Sequence, residues 1–381
     1  MAKLGMPTVV VKFIEAGIEA IQRSQRGIVA LILEDTKQVI DKLATKTNGH
    51  EVLPNPFLVY TVDDIPEELS DKNKDYILKA LKGYNKPPLK IVVYMMQQGG
   101  DKTGADRFQE PLKAMLTERF DYLAIPTIEN AQLEYVATWV KTARENKFKK
   151  IKVVLPGSNA DYEGVINFGN TKVFTADREY KPAEYTARIA GLVAGTNMTQ
   201  SATYAPLGEV IDCDRHTQDE MDAMVNEGKF FIWYDGEKFK MSRAMNSLVT
   251  TSQGKLEGYQ TIKIVDIMDM IYDDIRKTAQ DSYIGKYTND YENKCLLISA
   301  ILGYFKQLEN ERLLQKDYST CEIDCEAVRT YQLSHGLFTK EELAKMSDDE
   351  VKKLDTKKIV FLKAKVRPLD AMEDIQLPIN I

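Results

Sequence analysis

Four cysteines and three histidines in 381 residues are too few for most of the chemistry those side chains carry. Cys213, Cys295, Cys321 and Cys325 make no disulfide framework, which small secreted domains build from dense, regularly spaced cysteines. A chain made and assembled in a reducing cytoplasm is the expectation. A basic excess is missing as well. Lys and Arg number 51 against 57 Asp and Glu, a net charge of −6. A phosphate-binding surface would tip that balance positive, so nucleic acid is not expected as the main partner. No apolar run approaches the roughly 18 residues of a membrane span, so membrane insertion is not expected either. Nor does the start read as a basic-then-apolar leader with a small-residue cleavage site, which argues against secretion by signal peptide.

Motifs for catalysis and cofactors are equally scarce. The loop Gln97-Gln98-Gly99-Gly100-Asp101-Lys102-Thr103-Gly104 follows a strand and precedes a helix, the usual place for phosphates in α/β folds. It lacks both the Gly-Lys-Ser/Thr ending of a P-loop and the Gly-x-Gly-x-x-Gly fingerprint, so a surface turn is the better reading. Cys321 and Cys325 have Glu322, Asp324 and Glu326 near them, but no second Cys or His pair completes a tetrahedral set. Cys213-Asp214-Arg215-His216 puts a thiol beside a base without an orienting group or oxyanion signature. His50 and His335 lie in other segments, and no Gly-x-Ser-x-Gly elbow occurs. Asp121, Asp161, Asp177 and Glu179 stand near strand ends, where carboxylates usually cap or are solvated. No enzyme, cofactor or metal is expected.

What is present is 44% hydrophobic, 28% charged material of two- or three-domain length. The run Ile28-Val29-Ala30-Leu31-Ile32-Leu33 is continuous rather than alternating, as in a strand buried on both faces. Strand, loop and helix then repeat. Strands are expected at 89–94, 122–125, 151–155 and 172–174, and helices at 69–82, 107–119, 132–145 and 183–194. That rhythm predicts parallel strands with crossover helices, a layered α/β core. A hairpin is expected from 230–234 and 239–241 around Asp235-Gly236. Small polar residues at 250–254 mark a boundary. Beyond it, apolar residues at threes and fours predict helices over 264–275 and 296–308, with shorter ones at 325–334 and 340–354. A strand over 359–366 follows.

Both extremities read as strands. Ile375, Leu377, Ile379 and Ile381 alternate with Gln376, Pro378 and Asn380, the period of a half-buried strand. Pro378 lacks a ladder donor, which suits bonding along one edge. Thr8, Val9, Val10, Val11, Lys12, Phe13 and Ile14 form a second β-rich stretch after Met6-Pro7. Neither has an adjacent hairpin partner. Each pairs within its own chain or with a neighbour, and both pairings fit the alternation.

The opening Gly5-Met6-Pro7-Thr8-Val9-Val10-Val11-Lys12-Phe13 and the stretch Ser24-Gln25-Arg26-Gly27-Ile28-Val29 carry a resemblance. So does the ending Val360-Phe361-Leu362-Lys363-Ala364-Lys365-Val366-Arg367-Pro368-Leu369-Asp370-Ala371-Met372-Glu373. Together they resemble contractile tail sheath proteins, above all the short sheaths of simple myophages and R-type bacteriocins such as diffocin-like particles. The likeness spans essentially the whole chain, and the segment from Val366 to Glu373 is its most specific part. It implies an α/β fold class: a layered subtilisin-like α/β core without protease function, plus an α+β C-terminal domain with exchanged terminal strand arms. The implied divisions are an arm at 1–17, an α/β region at 18–95, the core at 96–248, the C-terminal domain at 249–367 and an arm at 368–381. Ile359, Val360, Phe361, Leu362, Ala364 and Val366 would be the acceptor strand, with Gly17, Pro368 and Asp370 as hinges. The implied assembly is a homo-oligomer of hexameric rings stacked in a helical tube around a tail tube protein, bounded by baseplate and tail-terminator or collar proteins. Such a subunit becomes part of a phage tail or bacteriocin particle released on lysis. The rival readings are a non-contractile scaffold or surface protein, and an α/β hydrolase-like enzyme.

Overall fold

A run of aliphatic residues with no polar member can be buried only where both faces of a strand are covered, and Ile28 to Leu33 takes that place. The computed structural model describes residues 20–45, 55–100 and 103–380. The expected amino-terminal arm from Thr8 to Ile14, Gly17, His50 and Ile381 lie outside them. Among the described residues the chain forms two compact units. Arg23–Asp273 with 368–380 make the larger, and 20–22 with Asp274–Arg367 the smaller.

The larger unit runs β1 (Ile28–Asp35), α1 (Lys37–Thr45), β2 (Phe57–Val59), α2 (Asp71–Leu81), β3 (Lys90–Gln97) and α3 (Gln109–Met115). It continues with β4 (Tyr122–Ala124), α4 (Leu133–Asn146), β5 (Lys152–Pro156), β6 (Val165–Phe168), β7 (Val173–Thr175), β8 (Glu179–Tyr180) and α5 (Pro182–Ala194). Then come β9 (Val210–Cys213), α6 (Gln218–Asn226), β10 (Lys229–Phe230), β11 (Ile232–Tyr234) and β12 (Phe239–Met241). Helix α7 (Ile262–Thr278) contributes residues to both units. The smaller unit adds α8 (Tyr291–Asn310), β13 (Thr320–Ile323), α9 (Cys325–Ser334), α10 (Lys340–Lys345), α11 (Asp348–Val351) and β14 (Leu362–Lys365).

Seven strands make the main sheet, in the order β10-β6-β5-β4-β1-β3-β2. All its pairings are parallel except that of β2 with β3. The parity of β1 divides the core. Val29, Leu31 and Leu33 join Ile77 and Ala80 of α2 and Ile189 and Leu192 of α5 on one face. Ile28, Ala30 and Ile32 join Leu112 of α3 with Val136 and Val140 of α4 on the other. Alternate side chains of a strand point to opposite faces, so a strand between two helical layers must be apolar at every position. Helices α2 and α5 come very close: a Cβ on Gly191 would stand 2.0 Å from the carbonyl oxygen of Ala80.

Several expectations change in detail. The division at 95/96 falls inside β3, whose eight residues pair continuously with β1, and that at 248/249 falls within the larger unit. The hairpin pairs Tyr234 with Phe239, which leaves a four-residue loop rather than a two-residue Asp-Gly turn. The Asp235 carboxylate shapes that loop by accepting from the backbone N–H of Glu237 (2.9 Å) and Lys238 (2.8 Å). Phe230 pairs with Phe168 in the main sheet instead. The strand expected over 359–366 is shorter, Leu362–Lys365, because Ile359 N–H turns back to the carbonyl of Thr356 (3.1 Å). Finally, residues 375–380 make no ladder with any described residue.

Candidate assembly interface

The smaller unit carries a two-stranded sheet. Strands β13 and β14 are antiparallel, with Thr320 opposite Lys365, Cys321 opposite Ala364, Glu322 opposite Lys363 and Ile323 opposite Leu362. Alternation sends Cys321 and Ile323 inward. Ile323 packs among Cys325, Val328, Val351 and Leu362. A carboxylate fixes the start of α9, as Asp324 accepts from the N–H groups of Glu326 (3.1 Å) and Ala327 (3.0 Å). The exposed face is charged: Lys363 pairs with Glu322 at 3.2 Å, and the Lys365 ammonium lies 4.7 Å from the centre of the Tyr318 ring. A ribbon of two strands is marginal alone and here leans on α9 and α11. Both its outer edges are unpaired among the described residues, leaving rows of N–H and C=O groups able to take another strand.

The carboxy-terminal stretch is the second candidate element. Arg367 closes the smaller unit, its carbonyl accepting from Gln315 N–H at 2.8 Å. Six residues on, the larger unit holds Glu373. The Ser201 and Thr203 hydroxyls donate to its carboxylate at 3.1 and 2.6 Å, and Arg243 Nε lies 3.4 Å away. Arg243 Nη2 also reaches Asp374 Oδ1 at 2.5 Å. Beyond that point no described residue covers the side chains of the apolar row. Ile375 is 83% exposed, Leu377 75% and Ile379 76%. Isolated surface aliphatics are ordinary, but a regular row of them at an extended terminus is a contiguous apolar strip.

Residues singled out as possible chemical sites are scattered. Burial pushes the Cys213 thiol up to about 12, against the pull of Arg215. That thiol donates to the backbone carbonyls of Asp214 and Ile232, while the His216 ring packs edge-on to Phe231. Burial likewise pushes Cys321 up to about 11, and Cys325 up. Asp121 holds the backbone N–H of Gly27 (2.7 Å) and Ile28 (2.9 Å), and Asp161 that of Val249 (2.7 Å) and Thr250 (2.9 Å). Asp177 meets Lys79 at 3.3 Å, and Glu179 is exposed on β8. Gly99 and Gly104 flank a cavity of about 630 Å³ at the ends of the parallel strands, and Gln97, Arg107 and Gln132 also line it. Arg107 is already paired with Glu34, which also accepts from Thr127 at 2.6 Å. The spacing of Asp101 and Lys102 in that loop lies outside the described residues.

One cluster has no counterpart in the motif reading. Asp266, Asp269 and Asp273 of α7 fall at i, i+3 and i+7, one face of a helix. Arg144 of α4 holds Asp269 with two bonds of 2.9 Å, and Lys152 of β5 reaches Asp269 at 2.7 Å and Asp266 at 2.8 Å. Arg26 joins Asp121 (2.8 Å) to Asp273 (2.7 Å), and Tyr122 donates to Asp266. Burial would raise Asp269, but Lys152 and Arg144 hold it down at about 2. Burial pushes Asp273 up. The acidic triplet was readable as a spacing; its cationic partners, more than 100 residues away, were not.

Comparison with known proteins matches two family domains. One is the phage tail sheath protein central domain over residues 101–247, the other the phage tail sheath C-terminal domain over 255–381. The tail sheath protein of Clostridium phage phiCD119 is 32% identical over 382 residues, covering 99% of each chain. Among solved structures, the helical sheath of the anti-feeding prophage in its contracted state aligns with a TM-score of 0.69 at 12% identity, covering 99% of both chains. A sheath tail protein from Desulfitobacterium hafniense aligns at 0.67 and 18% identity, over 83% of this chain and 94% of that one. At such identities these two support the fold alone. The match to the phage protein decides the family. The chain belongs to the phage tail sheath proteins, structural components rather than enzymes.

Proposed function

We propose that this chain is the repeating subunit of a contractile tail sheath, stacking as hexameric rings around a tail tube between a baseplate and a tail-terminator or collar. The layered α/β unit serves as the subtilisin-like body, without protease function. The smaller unit carries the assembly sheet. Residues Ile375, Gln376, Leu377, Pro378, Ile379, Asn380 and Ile381 leave the subunit and add to the β13–β14 ribbon of a neighbour, and Thr8 to Ile14 does the same at the other end. Leu362 and Ala364 lie on the receiving strand, with Ile359, Val360, Phe361 and Val366 flanking it. The observation that carries this reading is the exposed apolar row Ile375, Leu377 and Ile379 on a stretch that makes no ladder with any described residue.

Strand donation supplies backbone bonds for affinity and alternate side chains for specificity. About five new backbone bonds contribute roughly 1 kcal/mol each. Burial of three aliphatic side chains contributes about 1.5–3 kcal/mol each. Ordering seven residues costs about 1–2 kcal/mol apiece. The two sides nearly cancel, so one arm binds weakly and a lattice of arms binds firmly. Contraction is then a rigid-body rearrangement of bodies that stay tethered, from a metastable extended lattice to a contracted one. It fits that the anti-feeding prophage sheath, described in a contracted state, has the same fold. The subunit is made in the bacterial cytoplasm, and the particle drives its tube through a target cell envelope after release by lysis.

The test is a chain ending at Asp374, compared with the full chain by gel filtration and negative-stain microscopy. The full chain should form tubes on concentration. The shortened chain should stay folded and monomeric, and normal tubes from it would falsify the donor-strand role.

A further inference from the structure

The acidic residues just before the free strip are held by their own subunit. Glu373 is only 14% exposed, although the residues on either side of it stand in solvent. Its site is built from three places in the larger unit. The Ser201 and Thr203 hydroxyl oxygens lie 2.8 Å apart, and each spends its one hydrogen on the same carboxylate oxygen of Glu373. Thr203 Oγ1 is itself fixed by accepting from Ala244 N–H at 2.9 Å. Arg243 approaches the other oxygen of Glu373 with Nε and takes Asp374 with Nη2. Lys263 of α7, itself buried, faces Asp370 and Glu373; burial pulls its ammonium down and the two carboxylates offset part of that. Three acids, Asp370, Glu373 and Asp374, thus oppose two cations and two hydroxyls. A loose tether needs none of this.

We infer that Ser201, Thr203 and Arg243 form a latch that grips Glu373 and Asp374 and fixes the point from which the carboxy-terminal arm departs. The inference rests on the donor-strand reading and adds to it a positioning site. With the latch closed, the free arm starts at Ile375 rather than at the expected hinges Pro368 and Asp370. Seven extended residues reach about 23–25 Å, fourteen about 46–50 Å. The latch halves the span over which an acceptor can be found, and so selects which neighbour receives the strand. Effective concentration falls roughly as the −3/2 power of tether length, so doubling the tether lowers it about threefold.

The experiment uses the full chain with Arg243→Ala, with the pair Glu373→Ala and Asp374→Ala, and with Arg243→Lys. Hydrogen exchange of residues 368–374 in the monomer reads the latch, and the protein concentration at which tubes form reads its use. The alanine variants should exchange these amides at least tenfold faster and need about threefold more protein, or fail to assemble. Arg243→Lys should restore part of both. Unchanged exchange would overturn the latch. Faster exchange with an unchanged threshold would overturn its positioning role. The chain ending at Asp374 separates the two levels. If it forms normal tubes, donor-strand assembly fails, while protection at 368–374 would still report whether the grip exists.

Discussion

Asp269 is the residue on which the larger unit concentrates most charge. It is buried, it receives two bonds from Arg144 and one from Lys152, and these cations keep it ionised although burial opposes that. A buried ion pair adds little net stability over well-packed apolar residues, but removing one partner strands the others in a dry interior. Asp269→Ala should therefore lower the urea-unfolding free energy by about 3–5 kcal/mol. Replacing Arg144 by Met in the same background should recover part of the loss, because Arg144 loses its bidentate partner in Asp269 whereas Lys152 keeps Asp266. Equal additive losses from the two changes would mean that the cluster does not act as a unit.

Helix α5 shows what an element owes to a single missing atom. Eleven of its 13 residues are buried, and its face meets α2 where Gly191 lies against the Ala80 backbone. A methyl group there meets a carbonyl, which cannot rotate away as a side chain would. Gly191→Ala should cost about 3 kcal/mol or more by forcing the helices apart, read as a lowered thermal midpoint with α-helical signal retained below it. At this scale much was legible. β1, β3, β4, β5, α2, α4, α5, α7, α8 and α9 announce themselves through apolar period or unbroken aliphatic runs. β13 does not, since Thr320-Cys321-Glu322-Ile323 offers only two inward residues, and it acquires meaning from its register with β14. Helix α6 has no buried residue at all, so no apolar stripe could mark it. The alternation over 375–381 was legible, but the contacts of Glu373 just before it were not. Glu373 and Arg243 are 130 positions apart, and a surface acid carries no mark of what holds it.

For the whole molecule, acid should act on its charges in a definite order. Glu209, bonded to Arg188 and Lys82, sits at about 2 against an ordinary 4.5, and Asp269 at about 2 against 3.8, burial being outweighed in both by the cations. A carboxylate depressed in the folded state stabilises fully above its ordinary value, and that contribution is lost as pH falls through the folded one. Asp273, raised by burial, has the opposite sign and softens the upper end of the loss. Urea midpoints should thus stay level from pH 7 to about 5. They should then fall between about 4.5 and 2, by on the order of 4 kcal/mol from Glu209 and Asp269 together. A midpoint still level at pH 3 would contradict these pairings. In a strand, residues of one parity bond to one side and those of the other parity to the opposite side. Ile375, Leu377 and Ile379 can bind an acceptor in full, whereas the far side lacks the N–H of Pro378. On the donor-strand reading proposed above, a subunit that sticks edge to edge carries its own stopper. A seated arm would then offer a broken rim to any further strand, which would confine growth to the proposed tube instead of letting it run sideways into fibrous precipitate.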